Sequence, residues 1–419
     1  MQARQNLLDT LNHRQPGKIP VDFGATAVTG VHVLIMERLR KHYGLEPRPV
    51  VVAEPYQMLG LMEDDLIEAM GVTVVGAMPS GNLFGFDNLA PYQPYQTLWG
   101  QDVLVPMGFQ TSRGADGSEL IYPAGDRSVA PSGRMASSSY FFDAIIRQQP
   151  FDDEDDLDYR DNLEEFTTVD DQTLEHLARE ADRLRGKDAG AIGGLPGTAY
   201  GDIAWVPGPQ LRHPKGVRDV AEWYVSTLTR QDYVHRIFEA QTEIALANLP
   251  RVWASLGDSV QAVFVCGTDF GTQNSQFCSA DTFADLYAPY YKRINDWIHS
   301  HTSWKTFKHS CGAIVPLLPH IIDAGFDIIN PVQCSATGMD PRFLKNEFGR
   351  QLVFWGGGLD TQHTLPFGTP EQVRAEVLSR CEIFSRDGGF VFNTIHNIQA
   401  NTPVENVVAM VDALNDFNG

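Results

Sequence analysis

The chain has 419 residues, 43% of them hydrophobic and 20% charged, and carries a net charge of −21. That composition gives an ordinary globular protein ample core, and the negative excess repels phosphate backbones and anionic surfaces, which excludes nucleic acid as a partner. No apolar run approaches the roughly 18 residues that a membrane span needs, and residues 1–20 lack the apolar stretch of a secretory signal, so the expectation is a cytoplasmic protein. In chain order, the first candidate strands are IPVDFG (19–24), VTVVGA (72–77) and GAIGGL (190–195). Residues 86–185 interrupt the strand and helix alternation with hairpin signals, including TSRGADGSELIYPAG, where Asp116-Gly117 favours a tight turn. The acidic stretch 152–161, DDEDDLDYRD, reads as a solvated surface turn. A helix follows over 233–249, with Val234, Ile237, Gln241 and Ala245 on one side.

From residue 259 onward the signals alternate closely: QAVFVCG, KTFKHS, DIINPVQ, LVFWGGG and GFVFNT are strands separated by helical segments. Phe283, Leu286, Tyr290, Ile294 and Trp297 mark one helical face, and Val373, Val377, Cys381 and Phe384 another. Thr369-Pro370 and Thr402-Pro403 each place a Thr cap before a Pro at the first helical position. Three strands upstream and five downstream predict an α/β (β/α)₈ TIM barrel, one domain over 1–419 with 86–185 as an excursion from it.

The chemistry gathers at the strand ends. His309 and Cys311 form a His-x-Cys pair closing KTFKHS, and residues two apart on a strand point the same way. A thiolate and an imidazole aimed at one spot suit Zn²⁺. Cys334 ends the next strand and His396 a later one, and either completes the ligand set. The five cysteines, Cys266, Cys278, Cys311, Cys334 and Cys381, are odd in number and lack a Cys-x-x-Cys pair, so free thiols or metal ligands are expected rather than disulfides. Cys381 lies on a helical core face. Asp269 and Asp360 follow strands at Gly-Thr-Asp and Gly-Leu-Asp, positions suited to a general base or to orienting a ligand His. His396 is a catalytic candidate as well as a ligand, and Asn330, Gln333 and Gln273 are candidates for substrate binding at the mouth.

With GTDFGTQ at 267–273, APYYKRI at 288–294, HSCG at 309–312, DAGFDIINPVQ at 323–333, WGGGLDTQ at 355–362 and HNIQANTPVENVVAM at 396–410, the chain resembles the uroporphyrinogen decarboxylase superfamily. It is more similar to the methyltransferase branch that works with corrinoid proteins. The resemblance implies a barrel with its site at the C-terminal mouth and zinc on His309, Cys311 and a later Cys. At the position of that later Cys this chain has His396, as decarboxylases do. The decarboxylases' arginine-rich N-terminal segment has no match in residues 1–60. The resemblance therefore implies zinc-dependent methyl transfer between a corrinoid, carried by a separate corrinoid protein because no Asp-x-His-x-x-Gly sequence occurs here, and a small thiol, folate or methylated substrate. Tetrapyrrole decarboxylation, or a corrinoid- or tetrapyrrole-binding module without catalysis, is the alternative. A homodimer is also implied.

Overall fold

The computed structural model describes residues 2–89, 91–151 and 157–419. Seven parallel strands are hydrogen-bonded in chain order: β1 (Val74–Gly76), β2 (Gly190–Gly194), β3 (Ala262–Cys266), β4 (Lys305–His309), β5 (Ile328–Asn330), β6 (Val353–Trp355) and β7 (Phe390–Val391). Helices run between them, including Gln231–Leu256 before β3, Ala288–His301 before β4 and Pro370–Phe384 before β7. Side chains alternate across such strands. Val74, Ile192, Ala262, Phe307, Ile328, Val353, Trp355 and Val391 form one buried cluster on the inner face of the curled sheet. Val75, Ala191, Val263, Ile329, Phe354 and Phe390 point the other way and join the larger core under the helices.

The inner cluster also holds Leu7 and Leu11 of the helix Gln2–Leu11. A Cβ on Gly190, the first residue of β2, would lie 2.4 Å from a Leu7 methyl, so this helix is seated at the N-terminal ends of the strands. The opposite, C-terminal ends are left to build a site.

The expected eighth strand, IPVDFG, is not a regular strand. Val21 makes a single parallel bridge with Phe392, just past β7, and Asp22 makes one with Val74 in β1. These bridges link the two edges of the sheet, but a ladder cannot extend through them. Pro20 has no N–H to donate, and the Val21 N–H is spent on the Thr73 hydroxyl at 2.8 Å. The sheet thus has seven full strands and one pair of bridging residues.

The interrupting region folds as two small sheets. Val50–Glu54 pairs with Leu59–Gly60 and Asp102–Pro106, and the last pairs with Tyr92–Gln96. Thr111–Arg113, Glu119–Ile121, Gly133–Met135 and Asp143–Ala144 form an antiparallel meander. The tight turn at Asp116-Gly117 is present: Gly117 takes φ +78°, and the Asp116 carboxylate accepts from the Ser118 N–H. Val50–Glu54, which precedes residue 86, is also part of the first small sheet, and the helix Asp171–Arg185 packs on Gln231–Leu256 among the covering helices. Of the acidic stretch, residues 152–156 lie outside the described residues. Downstream of it, Arg218 is fully buried and grips Glu165 with two guanidinium nitrogens, at 2.7 and 3.1 Å, while also donating to the carbonyls of Lys215 and Asp161.

The two Thr-Pro helix starts differ. Thr369 forms a full capping box with Gln372 ahead of Pro370–Phe384. The last helix, Val404–Asn418, starts one residue later than its motif indicates, because Pro403 is extended at ψ 130° and the Thr402 N–H closes a turn onto Gln399.

Candidate metal centre

Phe307 belongs to the inner cluster, so His309, two residues on, points to the same inner face at the strand end. The imidazole is buried, and its Nδ1 lies 2.6 Å from the Asn330 side-chain oxygen. The Asn330 amide nitrogen is spent on the Trp355 carbonyl at 2.8 Å, so its oxygen must accept and His309 Nδ1 must carry the proton. Nε2 is left with its lone pair. That atom sits 3.6 Å from Cys311 Sγ and 3.6 Å from an Asp269 carboxylate oxygen.

Asp269 reaches this spot through a crossing of two loops. A Cβ on Gly312, which has φ +90°, would lie 2.3 Å from the Gly271 carbonyl carbon, and one on Gly271 would lie 2.7 Å from the Cys311 oxygen. Only glycines allow that approach. The loops are then tied by Ala313 N–H to Thr272 O and by Cys311 N–H to the Asp269 carboxylate, at 2.8 and 2.7 Å.

The ligand atoms of Asp269, His309 and Cys311 all lie within 4.8 Å of one another. Zinc at about 2.3 Å from sulfur and about 2.0 Å from nitrogen leaves neighbouring tetrahedral donors roughly 3.5 Å apart, which these spacings match. The donor set of imidazole, thiol and carboxylate fits Zn²⁺. Without a cation the trio is held neutral at His309 and Cys311: burial pushes the imidazole down, and burial together with the adjoining Asp269 carboxylate pushes the thiol well up. A bound cation would reverse the thiol's preference.

The other expected site residues are distributed around this trio. His396 faces His309 with ring centroids 6.5 Å apart, outside the cluster of three, and burial followed by the neighbouring His309 lowers its pKa to about 4. Cys334 is not in the cluster either; its sulfur packs beside Gly357 in the loops after β5 and β6, and burial pushes its thiol up to about 12. Asp360 accepts from the Gln362 and His363 N–H groups, and its other oxygen meets the His363 ring at 3.2 Å, so it caps its own turn. Gln333 accepts from Gly312 N–H and donates to Gln273, which in turn donates to the Ser335 carbonyl. Both glutamines therefore brace the loops. Asn330 has both amide ends engaged with His309 and Trp355 and serves to orient the imidazole. Cys266 is a core thiol among Ala199 O, Thr268 and Tyr291.

Three nearby groups escaped the sequence reading. Asp202 has its carboxyl raised to about 6 by burial and then by Asp269, and it nestles where a Cβ on Gly267 would lie 2.4 Å from its oxygen. The Tyr224 hydroxyl is buried without a hydrogen-bond partner among the described residues, its ring stacked on Phe277 at 4.8 Å, and burial, Asp269 and Asp202 all raise its pKa. Lys308, adjacent to His309, is fully buried on the outer face of β4, where burial lowers its pKa. In β4 only Phe307 is apolar, so a second lysine at 308 left no distinctive mark in the sequence.

Residues 210–417 match the family model for uroporphyrinogen decarboxylase (URO-D). This part of the chain belongs to the uroporphyrinogen decarboxylase superfamily. Curated relatives named uroporphyrinogen decarboxylase include one from Anaeromyxobacter sp. (strain Fw109-5), 27% identical over 44% of this chain and 48% of the relative. Another, from Coxiella burnetii, is 26% identical over 33% of this chain and 39% of the relative. The chain thus spans about half the length, or less, of the curated relatives it matches. A solved methyltransferase from Methanosarcina mazei shares the fold along the whole chain, with TM-score 0.55 and 17% identity, covering 100% of this chain and 99% of that one. Asp269, His309, Cys311, Asn330 and His396 all fall within the URO-D match, and Asp202 precedes it. Among the described residues, no helix is long and apolar enough to cross a membrane.

Proposed function

We propose that this URO-D superfamily member is a zinc-dependent methyltransferase, exchanging a methyl group between a corrinoid on a separate protein and a small thiol, folate or methylated substrate. The observation that carries the reading is the Asp269, His309 and Cys311 trio, with His309 Nε2 left free by the Asn330 bond. Zinc held there would deprotonate a thiol or polarise the heteroatom of a methylated donor. The chain's own residues do the rest. Asn330 fixes the imidazole plane, and the Gly271 and Gly312 crossing holds the carboxylate beside the thiol. Asp202, with its carboxyl near 6, can take up a proton released at the mouth, and Tyr224 offers an unengaged hydroxyl to a bound substrate. The reading includes a (β/α)₈ topology in which Val21 and Asp22 stand for the missing strand, in a single unit that forms a homodimer.

The names of the curated relatives favour a second reading, decarboxylation of a tetrapyrrole. Asp202 and Asp269 at the site and a net charge of −21 work against a substrate with many carboxylates. Metal analysis and an assay with methylcob(III)alamin and candidate thiols decide between them. Methyl transfer predicts about one zinc per chain, lost in His309→Ala and Cys311→Ser and kept in Cys334→Ser, with a change in the corrinoid spectrum on turnover. Absence of stoichiometric metal from reduced protein, or CO₂ release from a tetrapyrrole with no corrinoid change, would overturn it.

A further inference from the structure

The ammonium of Lys308 has no part in the chemistry above, yet it is the most elaborately housed charge near the site. Its Nζ donates to the Thr268 carbonyl at 2.6 Å and to the carbonyl of His309, and it lies 5.0 Å from the Phe270 ring centroid and 5.7 Å from that of Tyr291. Among the described residues no carboxylate pairs with it directly. A buried ammonium is costly unless each of its donors is met, and here two carbonyls and two ring faces meet them.

The two carbonyls belong to different strand ends. Thr268 immediately precedes Asp269, and His309 is itself a candidate ligand. Other bonds cross the same junction: Phe270 N–H to the Ser310 hydroxyl at 2.9 Å, and Cys311 N–H to Asp269. Thr268 is anchored in turn, its hydroxyl donating to the carbonyls of Ala199 and Tyr200. The ammonium is the part of this junction that grips the backbone at both ligand-bearing segments at once.

We propose that Lys308 is a positioning residue for the metal centre, its ammonium tying Thr268 to His309 and so setting the distance between the Asp269 carboxylate and the His309 and Cys311 donors. This rests on the metal-binding part of the functional reading and not on methyl transfer. Methionine keeps the length of the side chain without its donors, and arginine keeps donors on a different frame.

The test is competition for Zn²⁺ against a chelating dye, with absorption spectra of the Co²⁺-loaded protein, in wild type, Lys308→Met and Lys308→Arg. Misplaced supporting groups weaken metal affinity by about 10- to 100-fold. Lys308→Met is expected to lose affinity in that range and to shift the cobalt bands toward higher coordination, and Lys308→Arg to recover part of both. A folded Lys308→Met with wild-type affinity and spectrum overturns the role of Lys308. Should that variant not fold, Phe270→Leu, which removes one ring face, takes its place: an altered cobalt spectrum supports the proposal and an unchanged one overturns it. Wild type that binds no metal would overturn the functional reading itself, an outcome distinct from wild type and variant binding alike.

Discussion

Arg218 and Lys308 are both fully buried, but the first is closed onto a carboxylate while the second rests on carbonyls and rings. Around Arg218 the charge is cancelled where it stands: Glu165 takes both ends of the guanidinium, and the Lys215 and Asp161 carbonyls accept from it as well. At Lys308 the nearby acids, Asp269 and Asp202, act on the ammonium without contacting it. One region uses its carboxylate up in holding the chain together. The other engages its carboxylates with backbone N–H groups and, among the described residues, with no lysine or arginine in contact, which suits the proposed cation site.

The comparison is tested hardest at Glu165. Glu165→Ala leaves the buried guanidinium with only the Glu164 carboxylate, 3.6 Å away, and breaking a buried pair from one side costs about 3–5 kcal/mol. Urea unfolding should show that loss with zinc content unchanged. A loss under about 1 kcal/mol would mean that Glu164 and the carbonyls suffice to hold Arg218, and the contrast would fail.

A smaller effect is expected at Asp202. An ordinary aspartate has a pKa of 3.8, and in the folded chain this one is raised to about 6. Between those values the folded state holds more protons than the unfolded state, so stability falls as pH rises from 4 to 6 and then levels off. Asp202→Asn removes that titration. In metal-free protein, the stability of the variant relative to wild type should therefore climb across pH 4–6 and stay flat above it. Two pKa units would set the change at about 3 kcal/mol, reduced to about 1–2 kcal/mol because the side chain is partly open to solvent. A difference that does not vary with pH would show that the carboxylate is not held against its environment.

Much of this was readable from the sequence, for identifiable reasons. Buried parallel strands are short apolar runs, so β3, β5, β6 and β7 announce themselves, and a Thr-Pro start with Gln at the third helical position forms the capping box at Thr369. His309 and Cys311 were legible because period-2 geometry needs only two positions. Asp269 was legible as a strand-end acid beside a ligand His, but not as the third member of the cluster. Asp269 is brought in by loops that cross at Gly271 and Gly312, and a crossing between distant segments leaves no periodic mark. Cys334 had the right chemistry and the right strand, yet its thiol packs beside Gly357. IPVDFG looked like a strand by composition, and the proline within it, together with the Thr73 hydroxyl, kept it from becoming one. Lys308 was not singled out, because β4 is largely polar by sequence, and whether its ammonium meets a carboxylate or a carbonyl depends on residues far away in sequence.

The smallest expected effect is at Asp360, which the sequence placed beside Asp269 as an equivalent strand-end acid. In the structure its carboxylate serves Gln362, His363 and its own turn. Asp360→Ala should therefore behave as the loss of a cap, costing about 1 kcal/mol of stability. Zinc content should be unchanged, and methyl transfer should stay within about twofold of wild type, because a loss of about 0.4 kcal/mol at the transition state is all that a twofold change represents. Asp269→Asn, by contrast, should lower zinc occupancy, since it removes the charge from a donor in the cluster. If the Asp360 variant lost its metal, or lost turnover by tenfold with its fold intact, the two strand-end acids would be functionally alike. The turn-capping geometry would then be secondary to a role at the mouth.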